Sequence, residues 1–267
     1  MASERTCSMD ELYQFAEEAI RRAGEEAMRF YGTGRNSVKF DEDLITEAEI
    51  HLNDFFRGRI AQQFPEHLMF LRDNLAEGYS HEQSRYLWIF DPLDGVDNFQ
   101  TGIPIWAMSL AVLDNYWPLF GMIYLPASGD FFHARVGENA FHGEKLLQVR
   151  ETEGVDNESI LLIFSRFHQH YHSKFPGKIR NLGCTSAHAC YVAMGRADAA
   201  VISNESYQNL AAAHIITEAA GGKIYRMDGK EFHLSEHLDG QKIAGSLLVT
   251  SPGKFSAVAE HLRSADM

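Results

Sequence analysis

A strand that stops on two carboxylates constrains this chain more than any other feature. The run Tyr86 to Phe90 is apolar enough for a buried strand, and it ends at Asp91-Pro92-Leu93-Asp94-Gly95. Proline removes a backbone donor and glycine permits a tight turn, so both aspartates sit where the strand must end. Two carboxylates three residues apart on such a turn can face one hard, oxygen-seeking cation such as magnesium. A bare Asp-x-x-Asp more often marks a solvated turn. This string is longer, continuing through Val96-Asp97-Asn98-Phe99 to Gln-Thr-Gly-Ile-Pro104.

The remainder of the chain has the means to enclose such a turn. Its 267 residues are 45% hydrophobic and 23% charged, enough for one large or two modest domains with a buried core. A formal net charge of −13 argues against nonspecific binding to nucleic acid or to an anionic membrane. Cys7, Cys184 and Cys190 form neither a disulfide framework nor a metal spacing. With a charged N-terminus and no long apolar run, this sets the expectation of a cytoplasmic protein.

Periodicity divides the chain in two. Apolar residues at three- and four-residue spacing predict amphipathic helices over Met9 to Tyr31 and about Thr46 to Phe64. Short apolar runs then predict a meandering, largely antiparallel sheet through Val149. The polar stretch Glu151 to Glu158 is the expected boundary between an N-terminal α+β half (1–150) and a C-terminal α/β half (151–267). Strands and helices alternate in the second half, which predicts a mixed or parallel sheet and a last helix over Gly253 to Arg263.

The string around Asp91 resembles the signature of the inositol monophosphatase family of magnesium-dependent, lithium-sensitive phosphatases. Five other segments resemble that family in order: "KFDEDLITEAE", "FQTGIPIWAMSLAV", "GMIYLPASGDFFHARVGENAFHGEKLLQV", "RNLGCTSAHACYVAMGRADAA" and "YQNLAAAHIITEAAGG". The resemblance implies a layered αβαβα sandwich of the sugar-phosphatase type, commonly a homodimer acting on a small phosphorylated ligand. It also implies that Asp91, Asp94 and the carbonyl of Leu93 hold Mg2+, and that Gly95 and its neighbours offer amides to phosphate.

The resemblance breaks at several positions. Val96 stands where the family has a threonine that orients the attacking water. The family's Trp-Asp falls on Tyr207-Gln208, so a metal carboxylate becomes the neutral amide of Gln208. An ungapped match puts Arg72 on the upstream glutamate ligand; a small insertion would put Glu77 there instead. Asp97 replaces a second threonine, Cys184 replaces a serine or threonine near the substrate hydroxyls, and Glu205 lies within reach of Tyr207-Gln208. Losing a supporting group alone costs ~10–100-fold in metal affinity or activity. The expectation is therefore a family phosphomonoesterase with a weakened magnesium site and impaired catalysis. The alternative is an inactive pseudophosphatase serving as a binding or regulatory dimer.

Other features read as structural. His168 and His172 would share a helix face, yet a solvated loop is the simpler expectation. His188 and His214 fit apolar helix patterns as packing residues, and Trp106, Trp117 and Phe120 are expected in the core.

Overall fold

The computed structural model describes residues 7–34, 37–40, 43–70, 85–115, 117–237 and 242–265. Helix α1 (Met9–Ala27) opens on a capping box in which Ser8 and Glu11 bond each other's backbone amides. A hairpin follows, β1 (Ser37–Phe40) with β2 (Asp43–Thr46), and leads into α2 (Glu47–Gln63). Thr46 and Glu49 form a second capping box there, so the glutamate in the "TEAE" segment ties down a helix start.

The first sheet is a meander. It runs β3 (Leu68–Met69), β4 (Tyr86–Asp94), then after the short helix α3 (Val96–Thr101), β5 (Ala107–Asp114), β6 (Trp117–Leu125), β7 (Asp130–Arg135), β8 (Ala140–His142) and β9 (Lys145–Leu146). All neighbours pair antiparallel except β3 beside β4. The second half contains β10 (Ile160–Ile163), α4 (Phe167–His170), β11 (Tyr171–Ser173), β12 (Lys178–Arg180), α5 (Thr185–Ala193), β13 (Ala199–Ser203) and α6 (Tyr207–Ala219). It finishes with β14 (Lys223–Arg226), β15 (Ser246–Thr250), α7 (Phe255–Ala259) and β16 (Leu262–Ser264). Its main sheet has the order β12-β10-β13-β15-β14 and is mixed, as the alternation predicted.

Strand alternation sorts the core into layers, because successive side chains face opposite sides of a sheet. Trp88, Phe90, Met108, Leu110 and Val112 pack against α1 and α2. Leu87, Ile89, Ala107, Ala111 and Leu113 face the other way, onto α5 and α6. Those helices also receive Leu162, Ala200, Ile202, Leu247 and Val249 from the second sheet. The remaining face of that sheet, with Leu161, Val201 and Leu248, is covered by Phe167, Val258 and their neighbours. The result is the expected αβαβα sandwich. Helices α5 and α6 are its middle layer, and both begin at the end of β4.

Two local expectations fail, and the solvated loop expected at His168 and His172 is met only in its exposure. The last helix is only a 3-10 turn at Pro252–Lys254 followed by five-residue α7, after which β16 pairs with β11. Backbone partners on β11 outweigh the helical pattern there, as tertiary context commonly does. That same strand removes His172 from any helix: His168 lies in α4, His172 lies in β11, and both are exposed. Trp117 is the second failure. It pairs with Asp114 at the turn end of the β5–β6 hairpin, past a bulge at Val112–Leu113, and is 76% exposed. Trp106 and Phe120 are buried.

Candidate active site

Three chain segments meet at the end of β4. The ladder to β5 shifts register between Asp91 and Asp94, a bulge of the kind that re-aims side chains beside functional sites. Asp91 is buried, and one of its oxygens accepts the Leu93 amide at 3.3 Å. Leu93 itself is buried. Asp94 reaches across to α5, where it accepts the amides of Thr185 at 3.2 Å and Ser186 at 2.5 Å. The first residue flanking α5, Cys184, supplies no side-chain cap. Asp94 takes that role from another strand, and the positive end of the helix favours its charge.

Glycine is required at the turn. Gly95 has φ 86°, and a Cβ there would stand 3.1 Å from the carbonyl oxygens of both Gly183 and Ile105. Asn98 then locks the turn, its amide nitrogen donating to the Ile105 carbonyl at 2.6 Å and to the Leu182 carbonyl at 2.7 Å. Val96 is half-buried against the α1–α2 side of the core, and Asp97 is exposed on α3.

The third segment precedes and starts α6. Gln208 donates its side-chain amide to the carbonyl of Phe90, joining α6 to the strand just before Asp91. Glu205 is buried and accepts the Thr185 hydroxyl at 2.6 Å. Burial, then the charges of Asp94 and Asp91, push its carboxyl up to about 8, against the Thr185 bond that favours the charged form. Glu205 is therefore electrostatically part of the same site as the two aspartates.

Asp94, Cys184, Thr185, His188 and Glu205 line a cavity of about 660 Å3. The Cys184 thiol is raised by burial and then by Asp94, which keeps it protonated and a poor nucleophile. Burial lowers His188 to about 4 despite the opposing pull of Asp94, so the ring is neutral. Its Nε2 accepts the Leu182 amide at 3.1 Å. Arg166, His170 and Lys242 also line the cavity. Arg166 (φ 66°) and Asn204 (φ 65°), both on the cavity wall, hold left-handed backbone conformations that side chains rarely adopt.

The structure thus gathers Asp91, Leu93, Asp94, Gly95, Cys184, Glu205 and Gln208 about one turn. Arg72 and Glu77, the alternative upstream ligands, lie outside the described residues. Among the described residues, no three His, Cys, Asp or Glu side chains converge as a metal-holding group. Sequence reading missed Thr185, which joins Asp94 to Glu205, and Arg166, which no motif flags. Thr185 follows Cys184 in a segment already singled out; Arg166 reaches the cavity only through the packing of α4.

Known proteins match along the whole of this architecture. The family model described as "Inositol monophosphatase family" matches residues 8–264. A fructose-1,6-bisphosphatase/inositol-1-monophosphatase of Thermotoga maritima is 30% identical over 229 residues, spanning 84% of this chain and 87% of that protein. An inositol-1-monophosphatase of Mesorhizobium japonicum is 28% identical over 246 residues, spanning 87% and 90%. The fold is also that of a solved Thermotoga maritima IMPase, with TM-score 0.79 at 24% identity over 94% of this chain and 96% of that one. With a matching family model over nearly its full length and a sheet order and layering to suit, this chain belongs to the inositol monophosphatase family.

Proposed function

We propose that this chain binds a small phosphorylated polyol or sugar beside Asp94 and hydrolyses it slowly, with help from one weakly held magnesium ion. The observation that carries this reading is the Gln208 bond to the Phe90 carbonyl. At the position where the family motif has a metal carboxylate, this chain has a neutral amide engaged in holding α6 to β4.

The donor set suits one divalent ion. Asp91, Asp94 and Glu205 are close enough in a buried site to raise the Glu205 carboxyl to about 8, a repulsion that a divalent cation would relieve. Magnesium commonly binds through one or two carboxylates while keeping several waters. Asp91 and Asp94 would hold it, with the Leu93 carbonyl as the expected backbone ligand. Bound there, the ion would neutralise phosphate charge and lower the pKa of a coordinated water.

The protein's own residues explain why turnover would be low. Val96 has no hydroxyl with which to position a water or pass a proton. Loss of one such group costs about 10²–10³ in rate, by analogy with oxyanion-hole donors. Asp94 already accepts two α5 amides, so its lone pairs are shared between helix and ligand. Arg166 and His170, which line the same cavity, suit an anionic or hydroxyl-rich substrate body. The relatives' names, inositol monophosphatase and fructose-1,6-bisphosphatase, describe bodies of that kind.

The second reading, a pseudophosphatase that binds without cleaving, draws on the same two positions, Val96 and Gln208. One experiment separates them. Release of phosphate from inositol 1-phosphate and fructose 1,6-bisphosphate is measured at high magnesium for the wild type, Asp94→Asn, and the Val96→Thr/Gln208→Asp double variant. Slow wild-type turnover, abolished in Asp94→Asn and raised at least ~10-fold in the double variant, supports the impaired enzyme. Wild-type turnover no greater than that of Asp94→Asn, together with a ligand-dependent rise in Tm, establishes the pseudophosphatase.

A further inference from the structure

A second cavity, sharing no lining residue with the first, lies between the β5–β6 turn, the β7–β8 turn and α6. It measures about 800 Å3, within the range of sites that enclose small organic ligands. Leu113, Pro118, Ile215 and Leu234 give it an apolar lining. Trp117, a residue 76% exposed, stands in its wall, although a tryptophan in a strand is expected to be covered.

Charge decides what could cover it. Glu138 and Glu218 line this cavity, and among the described residues no lysine or arginine does. Glu218 is bound to Lys223 at 3.0 Å, a lysine it shares with Glu231 at 2.6 Å. Glu138 is exposed and makes no ion pair among the described residues. Burial lowers the pKa of His214, so its imidazole adds no fixed positive charge at neutral pH. With Glu218 held by Lys223, an anion would meet the unpaired carboxylate of Glu138 and no lysine or arginine of the lining; the first cavity, by contrast, sets Arg166 and Lys242 beside Asp94 and Glu205. An exposed indole beside carboxylates attracts a cation through its ring face and its surroundings together.

We propose that this cavity binds a small organic cation, an amine with an aromatic or aliphatic body. Its ammonium group lies toward Trp117 and Glu138, and its apolar body lies on Leu113, Pro118 and Ile215. This proposal is independent of whether the Asp91–Asp94 site is catalytically active.

The test uses tryptamine as the probe and indole-3-acetate as its anionic counterpart, titrated into isotopically labelled full-length protein by chemical-shift mapping. Tryptamine is expected to saturate, with shifts around Trp117 and α6, and to bind at least ~5-fold more tightly than indole-3-acetate. Trp117→Ala and Glu138→Gln, both surface changes, should each weaken tryptamine by ~3–10-fold, the size of a cation–π or exposed charge contribution. Asp94→Asn should leave its affinity unchanged. Failure to saturate, equal binding of the two probes, undiminished binding by either surface variant, or loss of binding in Asp94→Asn would each overturn the proposal.

Discussion

Among the described residues two places bury carboxylates, and they treat the charge in opposite ways. Asp198, just before β13, is fully buried with Lys254, which donates to it at 2.6 Å and also to the Thr152 hydroxyl at 2.6 Å. The other Asp198 oxygen accepts the Ile160 amide at 2.8 Å and an Arg150 nitrogen at 3.4 Å. Every charge there has a permanent partner. At the end of β4, by contrast, Asp94 and Glu205 accept from backbone amides and a hydroxyl, and they repel one another. A buried acid that carries its own lysine is structural. A buried acid balanced by dipoles retains an appetite for a cation from solution, and that difference marks the functional end of the sheet.

Breaking the Asp198 pair should have the largest effect. Lys254→Ala leaves Asp198 buried without its main partner and is expected to cost ~3–5 kcal/mol in urea unfolding. A loss below about 1 kcal/mol would show that the pair is not the anchor we describe.

The Glu205 site should respond in the opposite sense. Its carboxyl is raised in the folded state, so the native protein holds that proton where the unfolded chain has lost it. Stability from this group is fully present below the ordinary glutamate range and is lost as pH rises toward about 8. Glu205→Gln should remove that slope, leaving the variant more stable than the wild type at pH 8 by on the order of 2 kcal/mol and nearly equal at pH 4. Magnesium should flatten the wild-type slope in the same way. Thermal melts across this pH range would sink the idea if the two proteins ran parallel.

An exposed pair sets the lower limit. Arg57 and Asp54 bond across one turn of α2 in solvent, and Arg57→Ala should change stability by no more than ~0.5 kcal/mol. A larger loss would mean that burial is not what separates the two acid sites.

The contrast also explains what could be read from residues alone. The strand ending on Asp91 and Asp94 was legible because Pro92 disrupts the ladder, here as a bulge inside β4, and Gly95 takes the left-handed turn that ends it. The meander and the mixed second sheet follow from local periodicity and spacing. Glu205 could be suspected only from its closeness to Gln208 in the chain. Its partner Thr185 comes from another helix, twenty residues earlier in the chain. Nothing in the residues before Lys254 announces that its ammonium will reach Asp198, fifty-six positions away. Trp117 and the last helix were misread for a related reason: a bulge and an edge pairing, both set by distant backbone, overrode the local pattern.

The sequence by itself determined the layered fold, the family and the turn bearing Asp91 and Asp94, because these depend on side-chain period, proline and glycine geometry, and a contiguous motif. Only the tertiary structure decided that Asp94 caps α5, that Gln208 is tied to Phe90, that Glu205 is held near neutrality, and that Trp117 stands exposed over a second cavity. Those outcomes depend on distances between segments far apart in the chain. Electrostatic and hydrogen-bond energies change steeply with such distances, and no local pattern encodes them.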